Sequence, residues 1–251
     1  MSCTRQDLRE YLDSLLLPDN FRDYCPNGLQ VEGKSQIRHL VTGVTACQAL
    51  IDAAVEAQAD AILVHHGFFW RSEDPVVAGM KARRLRALML NDVNLFAYHL
   101  PLDCHPELGN NAQLGRLMGI SQTAPLVSSD PSIPVFCGDL NKETSLSSFA
   151  QNLSSQLGRE LLIVGDGAVR KIAWCTGAGQ HYIDMAADAG ADLYVTGEVS
   201  EQTVHTARER GISFIAAGHH ATERYGVEAV GGQVARELGC SHQFIDIANP
   251  A

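Results

Sequence analysis

The feature that most constrains the fold is the alternation of short apolar runs with longer stretches of helical periodicity. Apolar runs of this length, bounded by turn residues, are typical of buried strands. Strands that alternate with helices of ten or more residues predict an α/β fold with largely parallel strands. The principal strands are predicted at residues 40–44, 61–64, 93–98, 171–175, 193–196 and 213–217.

Two predicted helices contain residues that typically cap or interrupt a helix. Apolar residues at helical spacing predict a helix that Thr4 caps and that continues to about Leu17, immediately before Pro18. The last helix is predicted from about Ala221 to Leu238, broken or loosened at Gly231-Gly232.

An internal repeat indicates that the α/β unit occurs twice. Residues 48–54 and 180–186 share four of seven identities, and at the same offset Ala59-Asp60 matches Ala191-Asp192. We therefore predict two α/β lobes that are related by duplication, with a functional site in the cleft between them. A Ser-, Pro- and Asp-rich stretch separates the copies. The predicted lobes are residues 1–125, on which the segment of about 226–251 packs back, and residues 126–251.

Composition and charge exclude several classes of protein. The 251 residues carry a net charge of −10, which disfavours a nucleic-acid partner. No apolar run reaches the roughly 18–20 residues that span a membrane. The amino-terminal stretch is polar, so we expect a cytoplasmic location. Seven cysteines, an odd number without a Cys-x-x-Cys pair, disfavour a disulfide framework and a thiolate zinc site.

Histidines and carboxylates collect where predicted strands end. The strand at 61–64 leads into His65-His66, and open α/β sheets bind their ligands at the carboxyl ends of strands. The repeat places a second set at the matching strand ends of the other copy. The residues concerned are His65, His66, His99, Asp103 and His105 in the first copy, and Glu198, His219, His220 and Glu223 in the second.

This combination of side chains predicts a metal site. Histidine with carboxylate, and without thiolate, is the ligand set of Zn, Mn, Fe and related divalent ions. Side chains alternate along a strand, so His65 and His66 are expected to bind two neighbouring ions. His219 and Glu223 are four residues apart and share a helix face. Pro101 excludes a regular helix through His99 and Asp103, which would converge by a turn.

The motifs together resemble a known family. Their order and combination are similar to those of the YbgI-like family, whose members are commonly called GTP cyclohydrolase I type 2 homologues. The resemblance covers essentially the whole chain. The segments that carry it are Asn27–Gly33, Val64-His65-His66-Gly67, His99–Asp103, Thr196–Ser200 and Gly218–Glu223.

The resemblance implies a set of functional residues and an assembly. Members of the family have two α/β lobes, a dinuclear metal centre in the cleft and a ring-shaped hexameric assembly. His99 and Glu198 would stand beside the centre, and His220 would add a ligand or an acid/base group where many relatives have an aromatic residue. The implied metal ligands are His65, His66, Asp103, His219 and Glu223.

Three functions remain open from the sequence. The first is a dinuclear metal-dependent hydrolase that acts on a nucleotide or a related small molecule, with a water activated by the metal as nucleophile. The second is a metal-binding protein without catalysis. The third is a ring-shaped scaffold or regulator. The hydrolase is favoured because no Ser or Cys nucleophile motif competes with the histidines and carboxylates.

Overall fold

Parallel strands form the centre of two separate sheets in the computed structural model, which describes residues 2–130 and 132–251. The strands are β1 (Cys3–Thr4), β2 (Gly28–Val31), β3 (Gln36–Ile37), β4 (His39–Thr45), β5 (Ala61–His66), β6 (Asn94–Ala97), β7 (Ala124–Pro125), β8 (Phe136–Ser145), β9 (Leu162–Val164), β10 (Ala168–Cys175), β11 (Leu193–Thr196), β12 (Ser213–Ala216) and β13 (Ser241–Phe244).

Helices alternate with these strands along much of the chain. They are α1 (Arg5–Leu16), α2 (Gln48–Glu56), α3 (Gly79–Leu90), α4 (Leu100–Cys104), α5 (Asn110–Leu117), α6 (Leu146–Leu157), α7 (Ile183–Asp188), α8 (Glu201–Arg210), α9 (His219–Thr222) and α10 (Arg224–Leu238).

The chain divides into two compact units. One contains the residues up to Leu102 together with Gly226–Ala248, and the other contains Asp103–Tyr225 together with Asn249–Ala251. We call them the first and the second unit. The division falls within α4, ahead of the Ser- and Pro-rich stretch that separates the two predicted lobes.

The first unit is built on a sheet with the strand order β13-β4-β5-β6-β2. Strands β13, β4, β5 and β6 are parallel, and β2 pairs with β6 in the antiparallel direction. Val41, Ile62 and Leu95 occupy matching positions on the three central strands and are fully buried. They pack with Leu50 and Leu88 from the covering helices. Removing such apolar area from water stabilises the unit.

The second unit has a mixed sheet with the strand order β7-β8-β10-β11-β12-β9. Its centre, β10-β11-β12, is parallel, whereas β7, β8 and β9 run antiparallel to their neighbours. Successive residues of β10 pack into different clusters: Ile172 and Trp174 into one, Ala173 and Cys175 into the other. Both faces of this sheet are therefore covered, because side chains alternate along a strand.

The predicted α/β class is confirmed, with one difference in the second sheet. The long β8–β10 pair makes that sheet mixed rather than largely parallel. Each sheet contains three parallel strands in chain order, β4-β5-β6 and β10-β11-β12, which supports the predicted internal duplication. Duplication itself stays a prediction. Within the described residues, no helix combines the length and apolar character required to cross a membrane.

The first helix begins as its sequence predicts. Thr4 caps α1: its hydroxyl accepts a hydrogen bond from the Asp7 backbone N–H, while the Asp7 side chain accepts one from the Thr4 backbone N–H. This reciprocal pair satisfies two N–H groups that have no partner within the helix.

The interruption predicted at Gly231-Gly232 is wrong. Helix α10 continues through both glycines, and the break lies at Glu223, between α9 and α10. Gly231 is required for close packing rather than for a break. A β-carbon there would collide with His242 Nε2 and would lie 2.6 Å from Thr42 Cγ2, so the glycine lets α10 pack directly on β13 and β4.

The turn predicted around Pro101 is also wrong. Leu100–Cys104 form the short helix α4, and the Leu102 backbone N–H donates to His99 O. Pro101 lies in the first turn, where its missing N–H costs no intrahelical hydrogen bond. Asp103 is therefore presented by a helix.

Gly231→Ala should destabilise the protein, and Gly232→Ala should not. The added methyl group at position 231 meets His242 and Thr42, which should lower the free energy of unfolding by about 1–3 kcal/mol. At position 232 the nearest atom is Arg236 Nη1 at 3.6 Å, so the higher helix propensity of alanine should add up to about 1 kcal/mol. Urea unfolding of both variants measures the difference; equal stabilities would contradict the close packing.

Candidate metal centre

Three histidines of the first unit form one cluster, which we call the imidazole group. His65 and His66 end β5, and His99 follows β6. One ring nitrogen from each lies within 4.8 Å of those of the other two. The centroids of the His65 and His66 rings are only 4.4 Å apart. The separation expected from strand alternation is therefore not observed, and the binding of a different ion by each ring stays a prediction.

Each ring of the imidazole group is oriented by an oxygen at its Nδ1 atom. His65 Nδ1 lies 3.1 Å from Tyr98 O, and His66 Nδ1 lies 3.1 Å from Thr45 Oγ1. His99 Nδ1 lies 2.7 Å from Asp23 Oδ1. Metal-binding histidines are typically held in this way, with the other ring nitrogen as the ligand atom. The arrangement makes Nε2 the candidate ligand atom of all three rings.

Asp23 contacts the imidazole group, and the sequence analysis missed it. Its carboxylate accepts hydrogen bonds from His99 Nδ1, Asn27 Nδ2 and the Leu100 backbone N–H. Burial raises the pKa of Asp23, but His99 and these hydrogen bonds outweigh burial and lower the pKa to about 2. The carboxylate is therefore ionised at neutral pH. It lies in an irregular segment after α1, where no periodicity marks it.

The segment Asn27–Gly33 supports the imidazole group from the neighbouring strand. Asn27 Oδ1 accepts a hydrogen bond from the His99 backbone N–H at 2.7 Å. The Gln30 side-chain amide bonds to both polar groups of Phe68, accepting from its N–H at 2.7 Å and donating to its carbonyl at 3.1 Å. These bonds fix the chain immediately after His65-His66. The Trp70 ring stands against His99, with centroids 5.0 Å apart.

A second cluster lies in the second unit and consists of Asp103, Glu198, His219 and Glu223. We call it the carboxylate group. A carboxylate oxygen of Asp103 lies within 4.8 Å of one of Glu223. Both side chains are nearly fully buried, with exposures of 5% and 3%. Burying two negative charges this close together is costly unless cations or hydrogen-bond donors compensate them.

Polar neighbours hold Asp103 in place. Asn110 Nδ2 donates to Asp103 Oδ1 at 2.8 Å, and Thr176 Oγ1 donates to the same atom at 3.1 Å. Asn111 Nδ2 donates to the Asp103 backbone carbonyl at 3.2 Å. The sequence analysis missed these three supporting residues. Thr176 is 73 positions from Asp103, so only the tertiary structure brings it there.

His219 is held between two carboxylates. Its Nδ1 lies 2.7 Å from Glu198 Oε1, and its Nε2 lies 3.2 Å from Glu223 Oε2. Burial lowers the pKa of His219, but Glu223 and then Glu198 outweigh burial and raise it to about 9. The Nδ1 bond to Glu198 repeats the arrangement of the imidazole group. His219 Nε2 and the Glu223 carboxylate therefore meet across the single turn of α9, as candidate metal ligands.

Other predicted residues have different positions. His220 is buried, and its backbone N–H donates to Ala251 O at 3.2 Å. His105 Nδ1 accepts the backbone N–H groups of Glu107 and Leu108, so its ring supports the loop before α5. Cys25 lies near Asp23 and His99, but burial raises the pKa of its thiol to about 12. It is thus a poor thiolate ligand.

The structure brings the predicted residues together within each unit. His65, His66 and His99 converge in the first unit, as their strand ends predicted. Asp103, Glu198, His219 and Glu223 converge in the second. Together these side chains offer imidazole nitrogens and carboxylate oxygens without a thiolate, a set suited to zinc, manganese or iron. The fold and these clusters define an α/β protein with candidate metal-binding groups.

Comparisons with known proteins identify the family. Residues 3–250 match the profile of the family described as Duf34/NIF3 (NGG1p interacting factor 3), and the chain belongs to this family. A relative in Pseudomonas aeruginosa is 56% identical over 252 residues and covers 100% of both chains. Another, in Haemophilus influenzae, is 53% identical and covers 98% of each chain. Both carry the name GTP cyclohydrolase 1 type 2 homolog.

Solved structures share the fold. A protein called ybgI, whose function is described as unknown, superimposes with a TM-score of 0.94 at 48% identity, covering 99% of this chain and 100% of the other. A Thermus thermophilus protein superimposes with a TM-score of 0.91 at 34% identity, with the same coverage. The resemblance to the YbgI-like family is thereby confirmed.

Glu198→Gln should lower the pKa of His219 in metal-free protein. The variant removes one of the two negative charges that stabilise the imidazolium, so the pKa should fall below about 9, while Glu223 keeps it above 6.5. Because this pKa lies above 6.5, the ion pairs of protonated His219 stabilise the folded protein fully below pH 6.5. This contribution to the free energy of unfolding is lost as the pH rises through 9. NMR titration of the imidazole measures the shift. Glu160→Gln is the control, and an unchanged pKa in Glu198→Gln would contradict the pairing.

Proposed function

We propose that this protein is a dinuclear metal-dependent hydrolase that acts on a nucleotide or a related small molecule. The observation that carries the proposal is the common orientation of His65, His66, His99 and His219, each with an oxygen at Nδ1. Such outer partners fix the tautomer and raise the basicity of Nε2. Membership of a family whose relatives are named GTP cyclohydrolase 1 type 2 homolog adds weaker support for a nucleotide substrate.

The imidazole and carboxylate groups together would supply the ligands of the two metal ions. His65 and His66 would each bind a different ion, and Asp103, His219 and Glu223 would complete the two sets of ligands. Only three residues separate His99 from Asp103, so one helical turn of chain joins the two groups. The buried charges of Asp103 and Glu223 favour divalent cations as their partners. The bound ions would lower the pKa of a water molecule toward about 7, generating the nucleophile.

The remaining residues of the two groups would orient ligands and transfer protons. Asp23 holds the His99 ring, and Glu198 holds the His219 ring. His99, Glu198 and His220 are the proposed acid/base residues. The Trp70 ring, beside His66 and His99, would stack on a flat heterocycle and exclude water from it.

Metal analysis tests whether the two groups form one centre. Wild-type protein should hold two equivalents of metal per chain. If the centre is shared, His65→Ala and Glu223→Ala should each weaken both equivalents, whereas separate sites would lose one equivalent each. His205→Ala, an exposed histidine on α8, is the control. The affinity should rise toward pH 9, because the proton of His219 must leave before metal binds. Less than one equivalent in wild-type protein would refute the proposal.

Gly177→Ala should weaken metal binding by about tenfold to a hundredfold. Gly177 has a φ of +63°, and a β-carbon there would collide with Glu223 Oε1 and lie 3.2 Å from His219 Nε2. Gly211→Ala is the matched control: its φ is +66°, but nothing lies within 4 Å of the added carbon. Both variants strain the backbone, and only Gly177→Ala displaces proposed ligands. Titration with zinc measures the affinities; equal affinities would contradict the placement of Glu223.

Turnover separates the hydrolase from a metal-binding protein. Metal-loaded protein should hydrolyse a member of a panel of nucleotides and phosphate esters, and Glu223→Ala should abolish that activity. Two bound metals without turnover across the panel would favour a metal-binding protein without catalysis.

A cytoplasmic location and assembly into a ring-shaped hexamer belong to the same proposal. Light scattering should give about six times the chain mass of 27.2 kDa. A stable monomer would refute the ring and, with it, the alternative of a ring-shaped scaffold or regulator.

A further inference from the structure

A groove beside Glu198 has no role in the proposed metal centre. It lies entirely within the second unit, has a volume of about 550 Å³ and opens to solvent. Its walls include Arg159, Leu162, Glu198, Val199 and Gly218. Glu198 also bonds to His219, so the groove and the carboxylate group share this residue.

The Arg159 guanidinium is fixed at one end of this groove. It lies close to Gly218, where a β-carbon would collide with Nη1 and lie 2.9 Å from Nε. Gly218 has a φ of +96°, a conformation that side chains disfavour, so both its backbone and its missing side chain serve this contact. Arg159 Nε also donates to Glu160 O at 3.3 Å. The cation is thus held next to the residue that precedes His219.

An oxygen atom of the chain already occupies the position that an anion would take. Ala251 O accepts one hydrogen bond from Arg159 Nη1 at 3.1 Å and another from the His220 backbone N–H at 3.2 Å. A guanidinium and a backbone amide that converge on one oxygen form the arrangement that binds phosphate and carboxylate groups. A ligand oxygen that replaced Ala251 O would meet the same two donors.

The charges within the groove favour an anion at the Arg159 end. Within the part of the chain that the structure describes, no Asp or Glu side chain forms an ion pair with Arg159. Glu198, which also lines the groove, is compensated by His219. An arginine without an acidic side-chain partner, in a chain of net charge −10, is a local positive site in an otherwise negative field.

The groove also has accessible apolar side chains. Leu162 is 43% exposed and Val199 is 37% exposed, and both line the groove. Exposed apolar side chains beside a fixed cation suit a ligand with an anionic group and a flat apolar part.

We infer that this groove binds the anionic group of the substrate, a phosphate or a carboxylate, through Arg159 and the His220 backbone N–H. The rest of the substrate would lie along Leu162 and Val199 toward Glu198 and the proposed metal ions. The assignment deepens the proposed hydrolase function, on which it rests, by naming the substrate class: a small molecule with an anionic group and a flat apolar part. Arg159 is then a positioning residue.

Binding of adenosine 5′-monophosphate and adenosine to the metal-free full chain tests this assignment. Metal-free protein is used because bound metal ions would themselves attract the phosphate. Isothermal titration should show that wild-type protein binds the monophosphate at least about tenfold more tightly than adenosine. Arg159→Gln should remove this preference, and Arg159→Lys should retain part of it. Arg208→Gln, at an exposed position on α8, should leave it unchanged.

Equal affinities of wild-type protein for the two probes, no binding of either, or an unchanged preference in Arg159→Gln would each overturn the assignment. If Arg159→Gln fails to fold, the salt dependence of wild-type binding decides. Rising KCl should weaken the binding of the monophosphate and leave the binding of adenosine unaffected. The metal content of the same samples separates the two proposals. Two metals with no Arg159-dependent preference would refute only the anion site, whereas an Arg159-dependent preference without metal binding would refute only the metal centre.

Discussion

The candidate site depends on one interaction, the hydrogen bond between an oxygen and the Nδ1 atom of a histidine. Four histidines of the candidate site have it, and the oxygens come from a backbone carbonyl, a hydroxyl and two carboxylates. Different elements supply these oxygens, so the positions of β4, β6, the segment after α1 and the end of β11 all determine ring orientation. A ring that is fixed at one nitrogen loses little freedom when the other binds a metal.

Buried carboxylates are the complementary constraint. Asp103 and Glu223 lie deep in the second unit and close to each other, an arrangement that burial alone would penalise. Asn110, Asn111 and Thr176 offset part of that cost at Asp103 through hydrogen bonds. Divalent cations would offset the rest. The same reasoning explains why Gly177 must be a glycine, since the space beside it belongs to Glu223.

Close approach of backbone to side chain recurs at functional positions. Gly218 lets the Arg159 guanidinium lie against the chain immediately before His219. The proposed metal ligand His219 and the proposed anion-binding Arg159 are thereby held by one short segment. A substrate anchored at Arg159 would extend toward Glu198, so substrate position and ligand geometry would be coupled through a few residues.

Sequence periodicity alone determined the α/β class and most helices and strands, because the alternation of apolar residues reflects which side of each element is buried. It also indicated His65, His66, His99, Asp103, Glu198, His219 and Glu223, since ligands in such folds collect at strand ends. Only the tertiary structure decided the supporting partners Asp23 and Thr176, the helical form of Leu100–Cys104 and the continuity of α10 through Gly231. These features depend on contacts between residues far apart in the chain, which no local pattern records.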